Sequence, residues 1–198
     1  MGQKTGGRVQ DKIILLTGGA MGLGKADAVR LIEEGAHVII TDYDIAAGEA
    51  TAKELGDNCE FMPQDVTDPA RWDEIIAEIE AKHGRLDVLI NNAAVTVFGS
   101  IMDVSYEDFK RCYTVDVDSI FLGCKAAIPL MAKTGGSIIN MSSGAALSAS
   151  PDLAAYNSAK AAIPMLTKSI ALYCAREKNN VRVNSVLPGT ILTPNVQS

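Results

Sequence analysis

The stretch KIILLTGGAMGLG, Lys12 to Gly24, decides the fold. Aliphatic residues run straight into a glycine-rich segment, TGGAMGLG at Thr17–Gly24, which opens an amphipathic pattern. Glycines let a backbone turn sharply and approach a pyrophosphate closely, and the first N–H groups of a helix bind such an anion. The stretch therefore predicts a buried strand, a dinucleotide-binding loop and a helix, in that order.

Five more short runs of β-branched and aliphatic residues follow, separated by longer helical patterns. The predicted strands are Lys12–Thr17, His37–Thr41, Cys59–Met62, Leu86–Asn91, Ser137–Met141 and Val181–Leu187. The predicted helices are Gly22–Glu34, Ala46–Leu55, Pro69–His83, Tyr106–Lys133 and Ala155–Lys178. Strands that are apolar nearly throughout need helices on both faces. The sequence predicts an α/β fold with a single-domain, doubly wound (Rossmann) parallel sheet at 11–198, preceded by a flexible tail at 1–10.

Composition excludes several classes of protein. Of 198 residues, 47% are apolar and 21% charged, which is ordinary for a globular domain, and the apolar runs are too short to cross a membrane. A net charge of −6 without a basic run argues against nucleic acid as a partner. Cysteine spacing shows neither a CxxC pair nor a disulfide framework, so reduced thiols and no metal ion are expected. We predict a cytoplasmic protein with no membrane partner.

An acidic residue ends the second predicted strand. Asp42 lies 18 residues beyond Gly24, where a carboxylate accepts a hydrogen bond from an adenosine ribose and repels a 2′-phosphate. The glycine loop holds no basic residue before Lys25, so NAD is favoured over NADP. The alternative is a tight turn followed by an unrelated surface aspartate.

The segment YNSAK places Tyr156 four residues before Lys160. Tyrosine and lysine are common enough for this spacing to arise by chance, so the motif alone decides little. On a helix, however, residues i and i+4 share a face, and a nearby ammonium lowers the pKa of a phenol toward the range of acid/base catalysis. Ser142 and Ser143, after the fifth predicted strand, supply a hydroxyl that would hold a substrate oxygen.

These motifs occur in an order that resembles the short-chain dehydrogenase/reductase superfamily, in its single-domain type. The motifs are TGxxxGxG at Thr17–Gly24, Asp42, Asp65-Val66, NNAA at Asn91–Ala94, Ser143, YNSAK and PGTILT at Pro188–Thr193. The resemblance covers nearly the whole chain from Lys12 to Pro194. It is strongest toward NAD-dependent alcohol and hydroxysteroid dehydrogenases.

The resemblance implies a role for each matching residue. Tyr156 would be the general acid/base, Ser143 would orient the substrate oxygen, and Lys160 would lower the Tyr156 pKa and hold the nicotinamide ribose. The implied cofactor-binding residues are Gly18, Met21, Gly22, Leu23, Gly24, Asp42, Asp65, Val66, Asn91, Ala93, Tyr156, Lys160, Pro188, Gly189, Ile191 and Thr193. The implied reaction is hydride transfer between NAD(H) and a secondary alcohol or ketone, in a homodimer or homotetramer.

Asp116 is the first departure from the family pattern, which usually has asparagine there. In relatives the main-chain carbonyl of this residue holds a water that relays protons, so aspartate could keep that role. A carboxylate near Lys160 would also weaken the pull of the ammonium on Tyr156 and move the optimum for oxidation to higher pH. A solvated helix aspartate or an internal cap explains the residue equally well.

Pro164 and the C-terminus are the other departures. Proline at 164 leaves the Lys160 carbonyl without its helical N–H, so a bend is expected that fits the helix to its neighbours more than it shapes a pocket. Relatives continue beyond TPNVQS through a substrate-covering segment and a seventh strand. The sequence therefore predicts a domain whose C-terminal part is missing.

The predicted substrate pocket is mostly small and apolar, which favours a hydrophobic or cyclic substrate. Its residues are Val95, Thr96, Val97, Ala145, Leu147 and the segment 187–192. A core-lining role explains the same pattern almost as well. The alternative to an enzyme is a catalytically silent NAD-binding scaffold or sensor, although an intact Ser143, Tyr156 and Lys160 favour the enzyme.

Overall fold

A computed structural model describes residues 7–191 of the chain, and within that range it has six strands. The strands are β1 Ile13–Thr17, β2 His37–Asp42, β3 Cys59–Pro63, β4 Val88–Asn91, β5 Gly136–Met141 and β6 Val181–Val186. The helices are α1 Gly22–Glu33, α2 Ile45–Leu55, α3 Pro69–His83, α4 Tyr106–Tyr113, α5 Ser119–Met131 and α6 Ala154–Glu177. Strand and helix bounds agree with the sequence prediction to within a few residues, apart from the α4–α5 region.

The strands form one parallel sheet in the order β3-β2-β1-β4-β5-β6. Leu15 at the middle of β1 is in register with Ile39 of β2 on one side and Leu89 of β4 on the other. The order of winding therefore reverses at β1 and β4, which is where doubly wound sheets bind ligands, beyond the carboxyl ends of the strands. The predicted fold class is confirmed.

Alternate strand residues build two cores, one on each face of the sheet. On the first face, strand residues such as Leu15 and Ile138 pack with Trp72 and Ile75 of α3 and with Ile120 of α5. On the second face, the intervening strand residues pack against α1 and α2, in a cluster that contains Ile14, Leu16, Val38, Ile40, Ile90 and Ala28. Helices cover both faces because the middle residues of β1 and β2, Ile14–Leu16 and Val38–Ile40, are apolar on both sides of the sheet.

The predicted long helix at Tyr106–Lys133 is divided. α4 and α5 are joined by a five-residue π-helical turn, Thr114–Asp118, which shifts the phase of the side chains between them. Such turns often occur at functional sites because they redirect one side chain. Here the turn contains Asp116, which is fully buried.

The predicted tail at 1–10 lies only partly within the described residues. Its last residues form a turn against the second-face core, in which Val9 packs beside the apolar cluster. The Arg8 backbone N–H donates to Glu34 Oε2 at 2.9 Å, and the Val9 N–H donates to the Glu34 carbonyl at 3.3 Å. This segment therefore attaches to the end of α1.

Candidate active site

The glycine loop between β1 and α1 leaves almost no room for side chains. Gly18 and Gly22 have positive φ of 65° and 57°. A Cβ at Gly24 would lie 2.1 Å from the Gly18 carbonyl oxygen, and one at Gly18 would lie 2.9 Å from the Ala93 Cα. No side chain within the described range caps α1, whose N-cap residue is Met21. The first N–H groups of α1 are thus uncapped, and they lie beside backbone that carries no side chains. This arrangement suits a pyrophosphate.

Thr17 joins the glycine loop to the end of β4. Its Oγ1 accepts hydrogen bonds at 3.0 Å from the backbone N–H groups of Asn92 and Ala93. In return, Asn92 Nδ2 donates to the carbonyls of Thr17 and Gly18 at 2.9 and 3.1 Å. Asn92 was not among the predicted site residues. The sequence does contain an indication of Asn92, because two asparagines end an apolar strand immediately before the predicted Ala93.

Asp42 ends β2 beside the same loop. Its Oδ2 accepts from the Ala20 N–H and its Oδ1 from the Asp44 N–H, both at 3.1 Å, and the residue is 8% exposed. The carboxylate is therefore fixed against the loop rather than free on the surface. Lys25, the first basic residue after the glycines, is 2.7 Å from Glu54 and so already paired.

The predicted adenine-binding pair follows β3 along the same edge of the sheet. Asp65 is exposed, and its Oδ1 accepts from the Thr67 N–H and hydroxyl at 2.9 and 2.7 Å. Val66 is buried, and its carbonyl accepts from the Trp72 indole N–H at 2.9 Å. Both residues lie in a turn whose shape is held by its own hydrogen bonds.

The side chain of Asn91 points into the core. Its Nδ2 donates to Asn140 Oδ1 at 2.8 Å, and Asn140 Nδ2 donates to Thr167 Oγ1 at 3.0 Å. Only the backbone of Asn91 remains for the predicted contact with a cofactor. This buried polar chain ties β4 to β5 and α6, and no local pattern in the sequence pointed to it.

Tyr156, Lys160 and Asp116 meet at the carboxyl end of β5. The Lys160 Nζ lies 5.5 Å from the centre of the Tyr156 ring, donates to the Met141 carbonyl at 3.2 Å and is 3.2 Å from Asp116 Oδ2. Lys160 is 3% exposed and Asp116 0%. The predicted proximity of tyrosine and lysine is present, and an aspartate from another element completes an ion pair.

Asp116 is neither solvated nor distant from Lys160. Its Oδ1 accepts from the Val95 N–H at 2.8 Å, so one oxygen fixes the loop after β4. Its Oδ2 has no aligned hydrogen bond among the described residues, although the Lys160 ammonium is close. Burial raises the pKa of Asp116 above its usual range, and the Lys160 charge only partly opposes this. The interpretation as a solvated helix aspartate is wrong, and Asp116 binds the N–H of a loop residue rather than capping a helix, whereas the predicted contact with Lys160 occurs.

The two serines after β5 have different surroundings. Ser143 is partly exposed, and its Oγ accepts from the Ala145 N–H at 3.1 Å, which leaves its hydroxyl proton free for another acceptor. Ser142 is 5% exposed, and its Oγ donates to the Lys160 carbonyl at 2.8 Å. Pro164 has no N–H to donate to this carbonyl, and the Ser142 hydroxyl takes the place of that donor. α6 is continuous from Ala154 to Glu177 and includes the proline.

Pro188, the first residue of the predicted Pro188–Thr193 segment, lies beside the turn after Ser143. The Pro188 carbonyl accepts from the Gly144 N–H at 2.8 Å, which places Pro188 and Gly189 beside the serine turn. Ile191 is the last described residue, and Thr193 lies outside the described residues.

Tyr156 packs against an apolar cluster that includes a residue of the loop after β4. Val97 packs in one cluster with Tyr156, Ala155 and Ala159. Its loop is tied to the start of α6, because the Gly99 N–H donates to the Asp152 carbonyl at 2.8 Å. Exposed apolar side chains in this loop and in the turn after Ser143 are Phe98, Ile101, Met102 and Leu147.

The four cysteines, Cys59, Cys112, Cys124 and Cys174, are buried and form no disulfide in the described chain. Burial raises the pKa of the Cys59 thiol to about 11 and that of Cys124 to about 12. No helix in the range 7–191 is both long and apolar enough to cross a membrane.

Comparison with known proteins gives a consistent result. The family model described as short chain dehydrogenase matches residues 12–198. A crystal structure of a short-chain dehydrogenase/reductase from Burkholderia xenovorans superimposes with a TM-score of 0.90 at 34% identity, covering 96% of this chain and 75% of that one.

Similar curated proteins act on alcohols. A 3-beta-hydroxysteroid dehydrogenase from Comamonas testosteroni is 39% identical over 96% of this chain and 75% of its own length. A cyclopentanol dehydrogenase from Comamonas sp. is 40% identical over 96% and 77%. An NADP-dependent (R)-specific alcohol dehydrogenase from Lentilactobacillus kefiri is 38% identical over 94% and 76%. The chain therefore spans about three quarters of the length of each of these relatives.

Proposed function

The chain belongs to the short-chain dehydrogenase family, and from this membership we propose that it transfers hydride between NAD(H) and a hydrophobic secondary alcohol or ketone. The observation that carries the proposal is the position of Tyr156, Lys160 and Ser143 at the carboxyl end of β5, beside the bare glycine loop. Its coarser form, an oxidoreductase acting on alcohols, follows from the relatives.

Each catalytic side chain has one task in this proposal. In the direction of oxidation, Tyr156 accepts the hydroxyl proton of the alcohol while hydride leaves the same carbon, and the product is a ketone. Ser143 donates its free hydroxyl proton to the substrate oxygen, and the Lys160 ammonium, 5.5 Å from the centre of the Tyr156 ring, attracts negative charge that develops on the phenol oxygen. NAD, when bound, supplies the hydride acceptor; the protein supplies position and proton transfer.

The cofactor is proposed to lie along the switch point between β1 and β4. The glycine loop and the uncapped start of α1 would bind the pyrophosphate, and Asp42 would accept from the adenosine ribose. The turn at Asp65 and Val66, the backbone of Asn91 and Ala93, and the segment from Pro188 onward would complete the site.

NAD is proposed over NADP because Asp42 places a fixed negative charge where the 2′-phosphate would lie, and Lys25 is paired with Glu54. The name of one relative specifies NADP, so the choice needs a direct measurement. Asp42→Asn should narrow the ratio of kcat/KM for NAD over NADP by about tenfold or more. The exposed Asp57→Asn is the matched control and should leave the ratio unchanged.

The substrate class is proposed from the apolar approach to Tyr156. Phe98, Ile101, Met102 and Leu147 are between 71% and 87% exposed, and a hydrophobic alcohol would cover such side chains. The names of two relatives specify a hydroxysteroid and cyclopentanol, and both substrates fit this description.

The decisive experiment follows NADH formation with cyclopentanol, a 3-hydroxysteroid and a short secondary alcohol. Tyr156→Phe should lower kcat by about 10²–10⁴-fold, because the general base is lost. Tyr106→Phe is the matched control, since Tyr106 is 70% exposed at the start of α4, and it should keep full activity. NAD binding without turnover on any substrate would instead favour a silent scaffold or sensor.

A homodimer or homotetramer in the cytoplasm completes the proposal. It is supported by apolar side chains exposed on α5 and α6, among them Phe121 at 50%, Leu172 at 72% and Tyr173 at 46%. Light scattering would give the oligomeric state, and Leu172→Glu should shift it toward the monomer.

A further inference from the structure

Both histidines of the sequence lie next to one carboxylate, at the amino end of the strands, and the proposed active site lies at the carboxyl end. His37 is the first residue of β2, Glu60 the second of β3, and His83 the last of α3. His37 and the active-site residue Asp42 are at opposite ends of β2, roughly 16 Å apart at the rise of a strand. The cluster therefore belongs to a different region from the catalytic side chains.

The three side chains direct their donor atoms at one another. His37 Nε2 is 2.5 Å and His83 Nε2 is 3.3 Å from Glu60 Oε1. All three donor atoms lie within 4.8 Å of one another. The side chains of His37, His83 and Glu60 are 22%, 13% and 18% exposed, so the cluster is only partly buried. The Nε2 atom of His83 is itself buried, and among the described residues it makes no aligned hydrogen bond, although Glu60 Oε1 is close.

We propose that His37, Glu60 and His83 form a binding site for a divalent transition-metal ion, with Zn²⁺ the best fit. Two imidazole nitrogens, one carboxylate oxygen and a water form a tetrahedral ligand set that Zn²⁺ commonly takes. Metal–ligand bonds of about 2.0–2.1 Å require donors roughly 3.3 Å apart. The His83–Glu60 distance has this value already, and His37 must move away from Glu60 by less than about 1 Å.

Lys82 opposes this site without blocking it. Its Nζ lies 2.7 Å from Glu60 Oε2, the carboxylate oxygen that faces away from the two imidazoles. The ammonium restricts Glu60 to one metal contact through Oε1 and adds a repulsive charge nearby. Lys82 is 59% exposed, so its removal should not disturb the core. The charge of Lys82 thus becomes a way to test the site in the direction of tighter binding.

The bound ion would join three elements that are distant in sequence. It would cross-link the amino ends of β2 and β3 to the carboxyl end of α3, and so act on stability rather than on hydride transfer. A ligand that binds only the folded state raises its melting temperature in proportion to the logarithm of its concentration. The site is independent of the proposed catalytic function.

The test is a calorimetric titration of the chelator-treated protein with Zn²⁺ at pH 7.5, with thermal melts in parallel. We expect one equivalent bound, and a rise in Tm of about 5 °C at a Zn²⁺ concentration roughly 100 times Kd, which EDTA reverses. Because the chain has only 2 histidines, its NMR spectrum holds two imidazole systems, and both should shift. With Co²⁺ in place of Zn²⁺, the intense visible absorption of a four-coordinate site should appear.

Variants separate this site from other ligands. His37→Gln and His83→Gln should each weaken Zn²⁺ binding by at least about tenfold, whereas Lys82→Gln should strengthen it. Glu54→Gln, at a surface ion pair elsewhere, is the matched control and should leave Kd unchanged. Far-ultraviolet circular dichroism of each variant verifies folding. Absence of stoichiometric binding in the wild type, or binding that persists in the double histidine variant, would overturn the proposal.

Discussion

The two ends of the parallel sheet each hold a cluster of charged side chains, and the clusters differ in their access to water. At the carboxyl end, Asp116 and Lys160 are 0% and 3% exposed. At the amino end, Glu60 is in contact with His37, His83 and Lys82, and its side chain is 18% exposed. A buried pair is costly to break, because the remaining charge has no water, whereas a solvated pair contributes little. Burial therefore fixes Lys160 beside Tyr156 at one end, whereas the carboxylate at the other end is only partly buried.

The largest expected effect comes from breaking the buried pair. Asp116→Ala leaves the Lys160 ammonium without its carboxylate and the Val95 N–H without its acceptor, and should lower the free energy of unfolding by about 3–5 kcal/mol. Glu60→Ala, measured by the same urea titration in EDTA, should lose about 1 kcal/mol or less. Equal losses would mean that the two clusters do not differ in solvation.

Substitutions at Ser142 and Pro164, alone and together, test the hydrogen bond that Ser142 donates to α6. Ser142→Ala should cost about 1–3 kcal/mol, because the buried Lys160 carbonyl then has no donor. With Pro164→Ala in the background, the restored helical N–H can take that place, so the same change should cost less. A double-mutant cycle from urea unfolding measures the difference. Additive losses would show that the serine does not compensate for the proline.

Asp116→Asn changes the charge of the buried pair while keeping its shape. The Asp116 carboxylate partly neutralises the Lys160 ammonium beside Tyr156. Removing the negative charge should therefore move the acidic limb of the kcat/KM profile for oxidation to lower pH, by about one pH unit. The measurement is a pH–rate profile for both proteins. An unmoved limb would indicate that Asp116 is already protonated in the active enzyme.

Asp116→Asn should also change how the free energy of unfolding depends on pH. The folded-state pKa of Asp116 is raised, so the native protein holds that proton more tightly than the unfolded chain does. The contribution of this group to stability is therefore full below about pH 4, the unfolded pKa, and is lost as the pH rises through the folded pKa. Urea unfolding over this range should show a shallower dependence on pH in Asp116→Asn.

The smallest expected effect concerns salt. Glu60→Gln should change the free energy of unfolding by under about 1 kcal/mol at low ionic strength, and by less at about 0.5 M NaCl, because solvated charges are screened. The loss in Asp116→Ala should hardly depend on salt. Urea titrations at the two salt concentrations would separate the two ends of the sheet, and a matching salt dependence would contradict the difference in burial.

The local parts of this molecule were predictable from its sequence. Apolar runs predicted the strands and the glycine-rich segment predicted the loop after β1, because strand periodicity and glycine conformation are properties of neighbouring residues. The pairing of Tyr156 with Lys160 follows from one helical turn.

Contacts between distant elements were not predictable in the same way. The orientation of Asp116 depends on the π-helical turn, which a sequence pattern of this length does not reveal. The approach of His37 and His83 to Glu60 depends on how β2, β3 and α3 pack. Cysteine spacing, the usual indication of a metal site, has no bearing on it.

Two consecutive residues at the carboxyl end of β5 bind Lys160, one at its side chain and the other at its backbone. Its ammonium donates to the Met141 carbonyl, its own carbonyl accepts from the Ser142 hydroxyl, and Ser143 comes next in the chain. These hydrogen bonds join the end of β5 to the middle of α6, so thermal motion should displace Lys160 and Ser143 together. Heating should separate the two residues in one step rather than residue by residue.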